Sequence, residues 1–228
     1  MADKFSPALI VVDLQEDFCP PNGSLAVPEG RETVAVVNQM LALPRFVLRI
    51  ATKDWHPQDH ISFASNHPGK QPFVDFATVT NPLNPDEPSY RTRLWPDHCV
   101  QNTPGAELVP DLQVKGLDKI IEKGTNKDVE MYSAFYDPFT NPRVSDSGLV
   151  GLLKEHKVTH VYVVGLAADY CVRCTALDAL SEGFETYIVE EGTRAVDAGA
   201  WPTEREQLVA AGVHIVHLGG PEVARLSQ

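Results

Sequence analysis

The chain has 228 residues, 43% of them apolar and 22% charged, which suits one large or two small globular domains with a substantial core. Nineteen basic residues against 31 acidic ones give a formal net charge of −12 at pH 7. Such a chain gains nothing from counterion release on nucleic acid and is repelled by anionic lipid, which leaves a small neutral or cationic partner as the easier one to accept.

The opening "MADKFSPALIVVDLQEDF" does not read as a secretory leader, because Asp3 and Lys4 precede the apolar run and Asp13 breaks it early. No apolar stretch approaches the roughly 20 residues that span a membrane. Four cysteines without a leader predict free thiols in a reducing compartment, with the cytoplasm first and the nucleus or peroxisome also open.

"ALIVVDL", residues 8–14, predicts a buried strand. Val34, Val37, Met40 and Leu41 follow at helical spacing, and residues 46–52 predict a second strand. "DKIIEKG" is a short strand closed by Gly124, and "SGLVGLLKEH" is helical. A strand at 160–164, a helix at 170–182 ended by Gly183 and a strand at 185–190 come next. A helix at 203–211 ended by Gly212 and a strand at 213–218 complete the series. Alternation of strand and helix predicts an α/β fold, a doubly wound, mostly parallel sheet with helices on both faces. With no repeat and no linker, residues 1–228 read as a single domain with an elaborated loop region at about 53–114.

In such a sheet ligands bind outside the carboxyl ends of the strands. There the sequence places Asp13, then Asp54 and His56, then Lys123, then Cys171. Cys171 precedes a helix, with Asp169 in position to cap it, where unpaired N–H groups and the dipole favour a thiolate. Small residues at Ala167 and Ala168 let backbone N–H groups approach an oxyanion. Asp13 reads as a general base and Lys123 as the charge that holds it ionised and favours the thiolate. A buried inert cysteine and a C-x-x-C redox pair with Cys174 are the competing readings. Asp54 and His56, two apart in an extended segment, face one way; with His98 they offer two imidazoles and a carboxylate, a set that suits zinc or iron(II). Solvated loop residues are the plainer reading, and His60 and His67 are nearby competitors. His156, His160, His214 and His217 read as structural or surface residues.

"IVVDLQEDFCPPNGSLAV", "TKDWHPQDHISF", "LWPDHCVQNTPGAE", "EKGTNKDVEMYSAF" and "VVGLAADYCV" together resemble the nicotinamidases of the isochorismatase-like cysteine hydrolase superfamily, over about residues 8–218. The resemblance implies hydrolysis of nicotinamide to nicotinate and ammonia, a step of NAD salvage, through a cysteine thioester. It implies a catalytic triad of Asp13, Lys123 and Cys171, and an oxyanion hole from the N–H groups of Ala167 and Cys171 after a cis Leu166–Ala167 peptide. It implies a substrate pocket of Phe18, Trp95, Tyr132 and Tyr170. It implies one divalent cation on Asp54, His56 and His98 that anchors the pyridine nitrogen, zinc first, with iron(II) or manganese(II) as the other choices. Some bacterial relatives carry a further ligand histidine where this chain has Ser62, which leaves the number of protein ligands open. The rivals are another cysteine amidohydrolase acting on a carbamoyl or ureido substrate, and a non-enzymatic thiol or metal-binding redox module. The expected partner is nicotinamide itself, with neither nucleic acid nor membrane, and a homo-oligomer is left open.

Overall fold

The computed structural model describes residues 5–228; Asp3 and Lys4, used above against a leader, lie outside the described residues. The chain opens as β1 (Pro7–Val12), followed by α1 (Thr33–Leu41) and β2 (Leu48–Asp54). A long excursion then carries β3 (Phe76–Val79) and β4 (Tyr90–Arg93). After it come β5 (Lys119–Lys123), α2 (Leu149–Glu155), β6 (His160–Leu166) and α3 (Arg173–Ser181). The end of the chain runs through β7 (Glu185–Arg194), α4 (Trp201–Ala211), β8 (His214–Val216) and a single helical turn, α5 (Pro221–Ala224).

Six strands form one sheet in the order β5-β2-β1-β6-β7-β8, and every pairing in it is parallel. The alternation of side chains along β1 explains why both faces are covered. Leu9 and Val11 join a core with Val34, Val37 and Met40 of α1. Ala8, Ile10 and Val12 join the opposite core with Leu149 and Leu153 of α2, Ala176 and Ala179 of α3 and Leu208 of α4. The chain winds outward from β1 to β2 and β5, then crosses back to β6, β7 and β8. The crevice therefore opens at the carboxyl ends of β1, β2, β5 and β6. Among the described residues no helix is long and apolar enough to cross a membrane.

Several expected boundaries move, and each shift has a local cause. The first strand stops at Val12 rather than running to residue 14, because Asp13 turns to φ 46°. The second runs 48–54, so Asp54 is its last residue and shares the pairing that ends at Lys123. The expected helix at 170–182 begins instead with a π turn, Ala168–Val172, in which the Val172 N–H reaches the Ala167 carbonyl at 3.0 Å. Asp169 does not cap it: its two oxygens accept the N–H groups of Val196 and Asp197, each at 2.9 Å. That carboxylate ties the loop after β7 to the start of α3. Gly165, at φ +109°, lies so close to β1 that an added Cβ would overlap the Val12 carbonyl. The excursion at 53–114 is ordered by β3 pairing with β4 and by bridges from Phe63 to Trp95 and from His56 to Val100.

Candidate active site

Lys123 ends β5 and is completely buried. Its ammonium lies 2.9 Å from Asp13 Oδ2, 2.5 Å from Asp54 Oδ1 and 3.6 Å from Cys171 Sγ, and it donates to the Met131 carbonyl at 3.2 Å. The structure thus brings together Asp13, Lys123 and Cys171 from three strand ends. Asp13 is fixed from its other side by Thr52, whose hydroxyl donates to Oδ1 at 2.6 Å while accepting the Asp13 N–H at 3.1 Å.

Two carboxylates on one ammonium diverge in acidity. Burial pushes Asp13 up to about 6, against the pull of Lys123. Burial also works against an ionised Asp54, but Lys123 and His56 outweigh it and hold that carboxyl well below the usual range. Lys123 stays protonated: burial opposes its charge, and Asp13 and Asp54 raise its pKa well above the ordinary value. Burial pushes the Cys171 thiol well above its ordinary value, with Lys123 pulling the other way. This corrects the expectation of a thiolate favoured by the helix start. The raised value favours the thiol form, and Asp13, pushed up to about 6, is in position to accept its proton.

The expected oxyanion elements lie beside this group. The Leu166–Ala167 peptide is cis, and Ala167 borders the same cavity as Cys171. The four expected aromatics, Phe18, Trp95, Tyr132 and Tyr170, line that cavity with Leu25 and Val196; Asp54 and His98 line it too. Trp95 and Tyr170 meet edge to face at 4.8 Å between ring centroids, and the Tyr132 hydroxyl accepts the Trp95 indole N–H at 2.9 Å. The walls are flat, apolar and locked by polar tips, a fit for one small aromatic ring.

Asp54, His56 and His98 place one ligand atom each within 4.8 Å of one another. The His56 Nδ1–H donates to the Gly124 carbonyl at 2.8 Å and the His98 Nδ1–H to the Pro96 carbonyl at 2.7 Å. A carbonyl only accepts, so each ring is oriented with Nε2 turned to the shared centre. His56 Nε2 is buried with no hydrogen-bond partner, 3.5 Å from Asp54 Oδ2. Burial opposes a charged His56, yet Asp54 overrides this and raises its pKa, so the centre attracts positive charge. Burial, with His56 alongside, lowers His98 to about 4 and keeps it neutral. A buried unpartnered imidazole nitrogen, a neutral second imidazole and an ionised carboxylate fit a divalent cation.

The competitors are turned away. His60 stacks on His56 at 4.0 Å between centroids, but its Nε2 donates to the Val129 carbonyl and its Nδ1 accepts from Ser62. His67 donates to the Ile61 carbonyl. Cys174 lines a different cavity from Cys171, and all four cysteines are free. His156, His214 and His217 are exposed, and His160 is buried at the sheet's other end, 3.1 Å from Glu185.

Besides Thr52, three supporting residues escaped the sequence reading. Gln15 grips the end of β2, accepting the Asp54 N–H and donating to the Asp54 carbonyl, both at 2.8 Å. Asp17 accepts the Cys99 N–H at 2.7 Å and so fixes the segment next to His98. Glu130 is buried and pushed up by that burial, with the nearby charge of His56 drawing it down. Gln15 and Asp17 stand within the "DLQED" run that follows β1, and Glu130 within "VEMYSAF"; clustering in those segments was the available signal.

Comparison with known proteins agrees with this architecture. The isochorismatase domain model matches residues 7–218. The nicotinamidase of Acinetobacter baylyi is 41% identical over 207 residues, 90% of each chain. Among solved structures, the yeast nicotinamidase bound to the inhibitor nicotinaldehyde superposes with a TM-score of 0.86 at 36% identity, covering 92% of this chain and 99% of that one. The Pyrococcus horikoshii pyrazinamidase in complex with zinc gives 0.70 at 37% identity, over 93% and 99%. The chain belongs to the isochorismatase family. Within that family, the curated proteins it resembles over most of its length are nicotinamidases.

Proposed function

We propose that this chain is an amidohydrolase that converts nicotinamide to nicotinate and ammonia, with Cys171 as nucleophile. One observation carries the reading. Lys123 joins Asp13 to Cys171 in a buried cluster, and Cys171 faces a cavity walled by four aromatic rings.

The ring lies among Phe18, Trp95, Tyr132 and Tyr170 with its carboxamide over Cys171. Asp13 takes the thiol proton as sulfur bonds to the amide carbon, and the carbonyl oxygen gains the charge. The N–H groups of Ala167 and Cys171 receive that oxyanion. The C–N bond breaks, the nitrogen takes the proton from Asp13 and ammonia leaves a nicotinoyl thioester. Asp13 then removes a proton from water, whose oxygen attacks the thioester; the C–S bond breaks, the sulfur is reprotonated and nicotinate departs. Lys123 keeps its proton throughout and limits the charge around the two carboxylates. Asp54, His56 and His98 would hold a divalent cation, which supplies a Lewis-acid contact for the pyridine nitrogen. Zinc is the proposed ion, supported by the donor set and by the zinc complex of the Pyrococcus relative.

The free thiols support an intracellular reducing setting, cytoplasmic in the first instance. The two cores share one sheet, which supports a single domain. The test is ammonia release from nicotinamide against a panel of carbamoyl and ureido amides. Nicotinamide is expected to be the preferred substrate by kcat/KM, and preference for a ureido compound would overturn the reading.

A further inference from the structure

A second cavity lies behind Tyr132, which borders both it and the active cavity. Its apolar walls include Phe139 and Leu177, and its charged groups are Arg143, Asp137 and Asp178, the Asp137 carboxylate being taken up by backbone N–H groups. The Arg143 guanidinium lies against the Tyr136 ring, 3.2 Å from the centroid, and the Tyr136 hydroxyl is held in turn by Ser181 at 3.3 Å. Nη1 of Arg143 is buried without a hydrogen-bond partner. Asp178 reaches Arg143 only by longer-range attraction, and its own carboxyl is hydrogen-bonded by Ser133.

The loop that carries Arg143 is fixed at two points. The buried Asp137 carboxylate accepts the N–H groups of Phe139 and Val144, each at 2.8 Å, and that of Ser145. Glu87 accepts those of Thr140 at 2.9 Å and Asn141 at 3.2 Å. The loop is therefore held in place, and with it the guanidinium on the wall of a largely apolar cavity. A planar carboxylate is the group such a fork engages best, and an aromatic body suits the remaining wall.

We propose that this cavity is a binding site for a small aromatic carboxylate, held by Arg143 and distinct from the active cavity. The proposal stands apart from the nicotinamide reading, because neither Arg143 nor Leu177 takes part in the reaction described above.

Calorimetric titration with sodium benzoate tests it. The wild-type protein should bind one benzoate more per chain than Arg143→Gln, which should keep nicotinamide turnover. Arg143→Lys should weaken the extra site at least tenfold, because the charge remains and the fork is lost. Leu177→Trp, which fills the cavity without touching the cation, should also lose the extra site and stands in if Arg143→Gln fails to fold. Benzamide, neutral and of the same shape, should leave the extra site empty. Equal stoichiometry in wild type, Arg143→Gln and Leu177→Trp, or benzamide filling the site as tightly as benzoate, would overturn the proposal.

Discussion

Lys123 is the side chain on which most of the site chemistry converges, because one ammonium serves Asp13, Asp54 and the sulfur of Cys171 at once. Removing it leaves two buried carboxylates facing each other, so Lys123→Met is expected to cost about 3–5 kcal/mol of stability, read by denaturant unfolding. Thr52→Val is a milder probe. The Thr52 hydrogen bond favours the ionised Asp13, whose pKa stands at about 6. Asp13 accepts a proton only when ionised, so kcat/KM should fall as pH drops below about 6, and Thr52→Val should move that acid limb upward. An unmoved limb would remove Asp13 from the role of base. Cys171→Ala should abolish ammonia release, whereas Cys174→Ala should keep most of it, since Cys174 faces the other cavity. Equal losses would restore the C-x-x-C reading. The sequence made Asp13 and Cys171 legible because each follows a strand with a clear apolar pattern, and Lys123 because it closes a short strand just before Gly124. Gln15, Asp17 and Glu130 stayed hidden because the groups they serve, Asp54, Cys99 and His56, lie far along the chain and come close only through the fold. Asp169 was legible as important but not in its role, since its partners belong to the loop after β7.

At the scale of elements, the alternation of strand and helix was legible because β1 and β6 are buried along their whole length and read as continuous apolar runs. The π turn before α3 was not, since Ala168–Val172 has no periodicity that separates it from a helix start. Neither was the order within residues 53–114, where β3 and β4 are four residues each and the remaining links are backbone bridges. Two loop contacts at strand ends lead to predictions. Gly124, at φ +65°, has its Cα against the His56 ring, and an added Cβ would overlap that ring. Gly124→Ala should therefore reduce bound metal and activity together, with metal content measured on the same samples as turnover. Asp169→Ala deletes two hydrogen bonds to a charged acceptor and should cost about 2 kcal/mol or more. Because Val196 on the released loop walls the active cavity, the variant should raise KM more than it lowers kcat. A pure kcat loss would place the effect elsewhere.

Across the whole molecule, the sheet sets four strand ends around one crevice, and the same crevice holds the proposed triad, the proposed metal ligands and the aromatic cavity. On the proposed mechanism this convergence makes ring recognition and amide chemistry a single event. Benzamide has the shape of nicotinamide without its ring nitrogen, so the aromatic walls treat the two alike. A site built around a directed polar contact rejects the analogue lacking it by about 10⁴. The kcat/KM ratio of the two amides should reach that order, and chelation should suppress nicotinamide turnover while the protein stays folded by circular dichroism. Comparable rates for both amides would confine the metal set to a structural role. The claim on which the rest depends is covalent catalysis by Cys171. It is tested most directly by acid-quenching the enzyme during nicotinamide turnover and measuring the mass of the peptide that carries this residue. A nicotinoyl adduct on Cys171 that disappears as substrate is exhausted is the expected result; steady turnover with no adduct on that peptide, together with full activity in Cys171→Ala, would contradict covalent catalysis.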